Sequence, residues 1–367
     1  MINMFKKRKK LIIVRLDAIG DYVLFRNFLT EIREYYYDYQ ITLLGNKDWK
    51  DIAEHFDKKY VDKFLWLDKK MYKENEKYIR KFDRILKKKE FDVLLSSVYS
   101  RDNWILEPII NQINAKEKIA SSGDLTNITG AQLAFANLNY TKIIQEDEKP
   151  CFEFFRNIDF FSKLINKKIN INKPYFELKN TLKYDFMKNQ YAVIFPGAFL
   201  GFREWNINNY IKVTRFIIDK YNLKIILAGS HVDKERCLQI ENDLNSENII
   251  NLVGKTKLYE LPYIFKNAEF VLSGDTCAYH FSVGVDTQTF CVSNGNTFCR
   301  FLPYPKEIFN DVYYAYPPEI EEHLKDFCFL TKKYIYASTV DINKIEADIV
   351  INLIKTNYKS KKGNFVG

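Results

Sequence analysis

A series of short, continuous apolar runs, each halted by a small or polar residue, constrains the fold of this chain most. Leu11 to Leu16 stops at Asp17, Ile41 to Leu44 at Gly45, and the run from Phe91 closes on Ser96-Ser97. Further along, Tyr191 to Phe195 stops at Pro196-Gly197, Lys224 to Ala228 at Gly229-Ser230, and Ile249 to Val253 at Gly254. Phe270 to Leu272 and Phe290 to Val292 end in Ser273-Gly274-Asp275-Thr276 and Ser293-Asn294-Gly295-Asn296. Uninterrupted runs rich in β-branched residues suit strands of a parallel sheet covered on both faces. Helix-length segments separate them: Ile19, Val23, Phe28, Leu29 and Ile32 recur at roughly helical spacing, Lys73 to Lys89 reads as a charged helix, and Ile207 to Tyr221 as another. Strands alternating with helices predict an α/β protein.

The alternation lapses between Tyr140 and Tyr184. Cys151 to Ile165 reads there as an aromatic helix and Asn166 to Pro174 as a polar connector. A chain of 367 residues exceeds one ordinary core, so the lapse divides two α/β domains. Asp341 to Lys355 is a final amphipathic helix with Ile342, Ile345, Ile349, Ile351 and Leu353 as its apolar members.

The net charge of +9 gathers at the ends, in Lys6, Lys7, Arg8, Lys9 and Lys10 and in Lys359, Lys361 and Lys362. The body is left close to neutral, which argues against nucleic acid, because such binders build their basic surface into the fold. Basic ends suit an anionic inner leaflet at about 1 kcal/mol per well-placed Lys or Arg, or simply solvate frayed termini. No run approaches the roughly 18 to 20 apolar residues of a membrane span. Leu11 to Val14 is too short for a signal peptide, so the expected location is the cytoplasm, at the inner face of the membrane if the basic ends bind lipid. Six cysteines without a C-x-x-C pair suit neither a zinc site nor a disulfide framework.

Three strand ends carry candidate chemistry. In Arg15-Leu16-Asp17-Ala18-Ile19-Gly20-Asp21 the two acids share a helix face, Asp17 can cap the helix, and Gly20 admits a close neighbour. The plainer reading is that both acids complement the helix dipole. No G-x-G-x-x-G follows any strand, which argues against a dinucleotide oxidoreductase. In the stretch from Pro196-Gly197 to Gly201-Phe202-Arg203-Glu204-Trp205, a Gly-flanked loop with one Arg suits a diphosphate; the plainer reading is a turn with Trp205 packed beneath it. At the third, Asp275 can accept from sugar hydroxyls and Thr276 can cap the next helix, while a lone His such as His280 is more often structural.

Together these stretches resemble glycosyltransferase family 9, the group that contains the ADP-heptose:lipopolysaccharide heptosyltransferases. Arg15-Leu16 with Ile19-Gly20-Asp21 matches its R-L-x-x-I-G-D segment. Pro196-Gly197 with Arg203-Glu204-Trp205 looks like its P-G-x…R/K-x-W segment, and Gly229-Ser230 with Glu235 its G-x-x-x-E segment. Leu252-Val253-Gly254-Lys255-Thr256, Leu258 and Leu261 resemble L-x-G-K-T-x-L-x-E-L, and Asp275-Thr276 with His280 resembles D-T-G-x-x-H. Cys277 stands in place of the family's Gly, with Tyr279 beside His280, and Ser293-Asn294-Gly295-Asn296 replaces the F-G-P-T loop. These departures point to a divergent branch that serves another surface polysaccharide.

The resemblance implies a GT-B architecture of two Rossmann-like domains facing a cleft. Residues 1–170, with a linker to about 185, would take the acceptor and 186–340 the nucleotide sugar. Residues 341–367 would form a helix packing back toward the first domain, then a basic tail. It implies inverting, metal-independent transfer, consistent with the lack of a D-x-D pair, with Asp21 as general base. Arg203, Gly197, Thr276 and Gly295 would hold the diphosphate, Asp275 and His280 the sugar, and Gly229 and Glu235 the nucleoside. Asp17 and Gly20 would support Asp21. No cofactor is implied beyond a nucleotide-diphosphate sugar, ADP-linked sugars included, with a lipopolysaccharide or other glycan or glycolipid as acceptor. Two other classes remain open: a silent sugar-nucleotide-binding relative, and a GT-B-like nucleotide-sugar epimerase.

Overall fold

The first apolar run forms β1 (Lys10–Arg15), which is paired in parallel on both sides. Leu11 stands opposite Ile41 of β2 (Gln40–Asn46) and opposite Val93 of β4 (Glu90–Ser96). The computed structural model describes residues 8–179, 184–198 and 200–361. Lys6 and Lys7 of the basic start, Phe199 of the Pro-Gly loop and Lys362 of the basic tail lie outside the described residues. With β3 (Lys63–Leu67), β5 (Asn114–Ser121) and β6 (Lys142–Ile144), the first sheet has the order β3-β2-β1-β4-β5-β6.

The second sheet repeats the pattern. Its strands are β7 (Tyr191–Phe195), β8 (Lys224–Leu227), β9 (Ile249–Asn251), β10 (Val271–Gly274), β11 (Thr289–Val292) and β12 (Val312–Ala315), in the order β12-β11-β10-β7-β8-β9. Each sheet starts in its middle and is laid down outward on both sides, the Rossmann strand order. Its switch points fall between β1 and β4 and between β7 and β10, and ligands of such sheets bind outside the carboxyl ends of strands at switch points.

The central strands are buried on both faces, which is why they read as unbroken apolar runs. The four strands that the sequence pattern did not announce, β3, β5, β6 and β12, lie toward the edges and are only partly covered. One of them, Asn114 to Ser121, interleaves charge with apolar residues and so carries no continuous signal. The predicted charged helix is two, Lys69–Glu74 and Glu76–Lys87, because the Asn75 side chain caps the second by accepting from the Tyr78 N–H.

One unit runs to Lys149 and takes up again at Glu153–Ile171; the other comprises Pro150–Phe152 and the chain from Asn172 onward. The expected aromatic helix forms as Glu153–Ile165 in the first unit, and the connector after it changes unit at Asn172, beyond which Phe176 donates its N–H to the Gly284 carbonyl. The final helix, Ala347–Asn357, packs in the core of the second unit, where Ala347, Val350 and Ile354 are buried with Ile194, Ile217 and Phe290. Those three positions form one apolar stripe at helical spacing, and the second sheet needs a cover on that face. Tyr358 extends the contact, its ring 5.1 Å from that of Phe270. No helix among the described residues is long and apolar enough to cross a membrane.

Candidate functional site

In the first unit the carboxyl end of β1 is organised by a buried arginine. The Arg15 side chain is fully buried over the Phe25 ring, 4.5 Å from its centre, and its Nη1 donates to Ser97 Oγ (3.0 Å) and Asn157 Oδ1 (3.3 Å). A buried guanidinium needs a counter-charge, and Asp17 supplies it at 2.5 Å. Asp17 was expected to cap the next helix, Ile19–Phe25. The cap position is Ala18, with no side-chain bond, because the Asp17 carboxylate is committed to Arg15.

Gly20 and Asp21 fall in the first turn of that helix and are half-buried. The residues that follow Asp21 are tied to their surroundings. Tyr22 stacks flat on Trp49 at 3.9 Å and donates its hydroxyl to Asp57 Oδ2, while Arg26 grips both oxygens of Asp57 at 2.7 and 3.1 Å. Trp49 fits because Gly45 has no Cβ; one there would overlap its indole ring. Burial raises the Asp57 pKa and Arg26 opposes that rise. The result is a carboxylate, Asp21, on a rigid helix start beside the switch point of the first sheet.

In the second unit the loop after β7 and the loop after β10 meet. Arg203, in the short 3-10 turn Gly201–Arg203, brings its guanidinium to 3.3 Å from Asp275, the residue just past β10. Asp275 is 5% exposed, and its Oδ2 makes no hydrogen bond among the described residues, so charge alone joins the two. Burial raises the Asp275 pKa, and the Arg203 charge works against that rise. His280, one turn into the helix Cys277–Gly284, is buried and bonded through Nδ1 to Tyr304 Oη at 2.8 Å. Burial, with help from the Arg203 charge, holds its pKa down at about 3. His280 is therefore neutral at physiological pH and offers a hydrogen bond rather than a charge. Thr276 caps this helix through Ala278 N–H, as its sequence position implied.

The other candidates lie after β7, β8 and β11. Gly197 was assigned to a phosphate, but the space a Cβ would take there is filled by the Asp233 carboxylate, which also lies 2.9 Å from a Cβ on Gly229. Asp233 accepts from the Ser230 N–H (2.7 Å) and hydroxyl (2.9 Å), so both glycines serve a buried acid that locks the turn after β8. Glu235 is exposed in the first turn of Lys234–Leu244 and is not drawn into this cluster. The Gly295 N–H donates to Ser293 Oγ at 3.0 Å, and the positive φ of 73° lets the loop turn over Ile320. Asn294 and Asn296 tie the same loop to Phe202, Ser338 and Val340. Trp205 packs under its loop and donates to the Ile345 carbonyl at 2.6 Å, the plainer of its two readings. Burial pushes the Cys277 thiol up to about 12, which makes it a poor nucleophile.

Two members of the site escaped the sequence reading. Asp233 was legible, since Ser230-His231-Val232-Asp233 has the spacing of a capping box. Tyr304 was not, being 24 residues from its partner His280.

Comparison with known proteins decides the family. The model of glycosyltransferase family 9 (heptosyltransferase) matches residues 79–297, more than half of the chain. The chain belongs to glycosyltransferase family 9. The fold agrees. A family 9 glycosyl transferase from Veillonella parvula superposes with a TM-score of 0.70 at 14% identity, covering 95% of this chain and 97% of that one. The E. coli heptosyltransferase WaaC with ADP-2-deoxy-2-fluoro heptose gives 0.69 at 14% identity, over 95% and 99%. The E. coli ADP-heptose lps heptosyltransferase II gives 0.58 at 13%, over 89% and 99%. No curated protein matches in sequence. This family 9 glycosyltransferase thus has two Rossmann-like α/β units of the GT-B class; Asp21 follows β1, and Arg203, Asp275 and His280 follow β7 and β10, the strands at the switch points.

Proposed function

We propose that this glycosyltransferase moves a sugar from a nucleoside-diphosphate donor to a surface-glycan or lipopolysaccharide acceptor, with inversion and without a metal. The observation that carries the reading is the Arg203–Asp275 pair with neutral His280 at the carboxyl ends of β7 and β10. One cation for a diphosphate, one buried acid for sugar hydroxyls and one uncharged donor match the parts of a sugar nucleotide. Arg203 would take the diphosphate and leave Asp275 to the sugar hydroxyls, with N–H groups of the Thr276 turn assisting. The exposed Glu235 carboxylate is the group available to a ribose.

Asp21 is the general base. It takes the proton of the acceptor hydroxyl while that oxygen bonds to the anomeric carbon and the carbon–oxygen bond to the diphosphate breaks. The bonding pair leaves with the nucleoside diphosphate, and Arg203 stabilises its growing charge. Asp17, held by Arg15, keeps the loop before Asp21 in place. Heptose and an ADP-linked donor agree with the family; the Ser293–Asn296 loop and Cys277 favour a branch with another sugar. Basic chain ends against an anionic inner leaflet would bring the enzyme to a glycolipid acceptor.

The test is Asp21→Ala with a transferable sugar nucleotide, chosen by screening ADP-, GDP- and UDP-sugars for thermal stabilisation. Loss of a general base lowers kcat by about 100- to 10,000-fold, with the donor's stabilising effect retained. Near-wild-type turnover by the folded variant removes Asp21 from the reaction.

A further inference from the structure

The amino edge of the first sheet, at the far end of β1 from Arg15, holds a cavity of about 390 Å³. Lys10, Gln40, Thr42 and Lys63 reach it from the first residues of β1, β2 and β3, and Lys88 and Lys89 from the turn that joins the helix Glu76–Lys87 to β4. Lys10 pairs with Gln40 and Thr42 with Lys63 across the ladder, so these four side chains share one sheet face. Phe64 and Phe91 add apolar wall.

Four lysines line it against one acid, Glu90. The other acids nearby are spent elsewhere. Asp62 takes Arg33 at 2.6 Å and Arg8 at 3.7 Å, and Asp92 takes Lys116 at 2.7 Å and the Lys10 N–H at 2.8 Å. Among the described residues none of Lys10, Lys63, Lys88 and Lys89 has a carboxylate partner for its ammonium group. Like charges kept together without a counter-charge repel, and a bound anion relieves that repulsion. Gln40 and Thr42 add neutral hydrogen-bonding groups on the same face. Arg8 and Lys9 precede Lys10, so the basic start of the chain leads into this edge.

We propose that this cavity is a second ligand site, which takes a phosphate-bearing group among the Lys10, Lys63, Lys88 and Lys89 ammoniums. It is separate from the strand carboxyl ends where the glycosyl-transfer residues lie. The phosphate can be carried by an anionic lipid headgroup or by a soluble compound, and the chemistry of capture is the same.

The experiment is lysine acetylation of the full chain, read residue by residue by mass spectrometry. It is run with inorganic pyrophosphate, with phosphatidylcholine vesicles containing phosphatidylglycerol, and with phosphatidylcholine vesicles alone. Pyrophosphate is expected to slow acetylation of Lys63, Lys88 and Lys89 at least about fivefold and to leave the exposed Lys212, Lys220 and Lys325 unchanged. Equal protection from the anionic vesicles, absent with phosphatidylcholine alone, assigns the phosphate to lipid; protection by pyrophosphate only assigns it to a soluble ligand. In whichever arm protects, the Lys63→Gln/Lys88→Gln/Lys89→Gln protein should bind on the order of 100-fold more weakly, at about fivefold per lysine. The Lys212→Gln/Lys220→Gln/Lys325→Gln protein loses the same charge and should bind as wild type. No protection by either probe, or equal weakening in both triple variants, overturns the proposal. None of these readouts depends on sugar transfer, so the result stands apart from the fate of the donor-site reading.

Discussion

Arg203→Ala tests whether the pair at the second switch point is coupled as the geometry requires. At a charge separation of roughly 4 Å and an effective dielectric of about 20, the attraction is about 4 kcal/mol. The Arg203 side chain is 22% exposed and its contact with Asp275 is a single one at 3.3 Å. Solvent screening and relaxation then leave a net loss of about 1–3 kcal/mol. For a unit of this size that is a fall of roughly 2–10 °C in melting temperature. The loss should depend on pH with a definite sign. Burial already raises the Asp275 pKa and Arg203 is what restrains it, so without Arg203 it climbs further. A raised carboxyl pKa gives stability that is present at low pH and lost as pH rises, and the deficit of Arg203→Ala should be larger at pH 8 than at pH 5. Adding Asp275→Asn removes the stranded charge and should recover most of the melting temperature at pH 8. The assay is thermal unfolding of wild type, both single variants and the double variant from pH 5 to 8, with calorimetric titration of the donor nucleotide alongside. Additive effects of the two substitutions, within about 0.5 kcal/mol, would refute the coupling. Unchanged nucleotide affinity in Arg203→Ala would remove Arg203 from the diphosphate.

Gly197→Ala places a methyl group where the Asp233 carboxylate sits. It should cost about 1–3 kcal/mol as that acid is forced off the Ser230 turn, and much less once Asp233→Ala has emptied the space; a urea or thermal cycle reads the difference. Burial raises the Glu146 pKa to about 8, and its carboxyl is bonded to Ser121 Oγ. Its contribution is therefore full below pH about 4.5 and lost as pH rises through 8, at up to about 1.4 kcal/mol per pH unit. Glu146→Gln should flatten the melting temperature between pH 5 and 9, and a slope equal to that of wild type would contradict the burial argument.

The class of fold and the strands at the middle of each sheet are legible in the pattern of residues. Leu11 to Val14, Tyr191 to Phe195 and Phe270 to Leu272 are covered on both faces, so burial wrote itself into them as continuous apolar runs. That pattern also placed Asp21, Arg203, Asp275 and His280 at strand ends, because a chain leaving a parallel strand must break it there. The edge strand β6 and its neighbour β5 were hidden, since half-covered residues are free to be charged. What the polar groups at those ends do depends on long-range packing. Asp17 turned to Arg15 instead of capping its helix, Gly197 and Gly229 made room for Asp233, and the Gly295 N–H was taken by Ser293. Local spacing ranks possible partners only within a few residues. The partners that won, such as Asn157 for Arg15, Tyr304 for His280 and Ile345 for Trp205, are brought within 3.5 Å from far along the chain by the packing of the sheets and their helices.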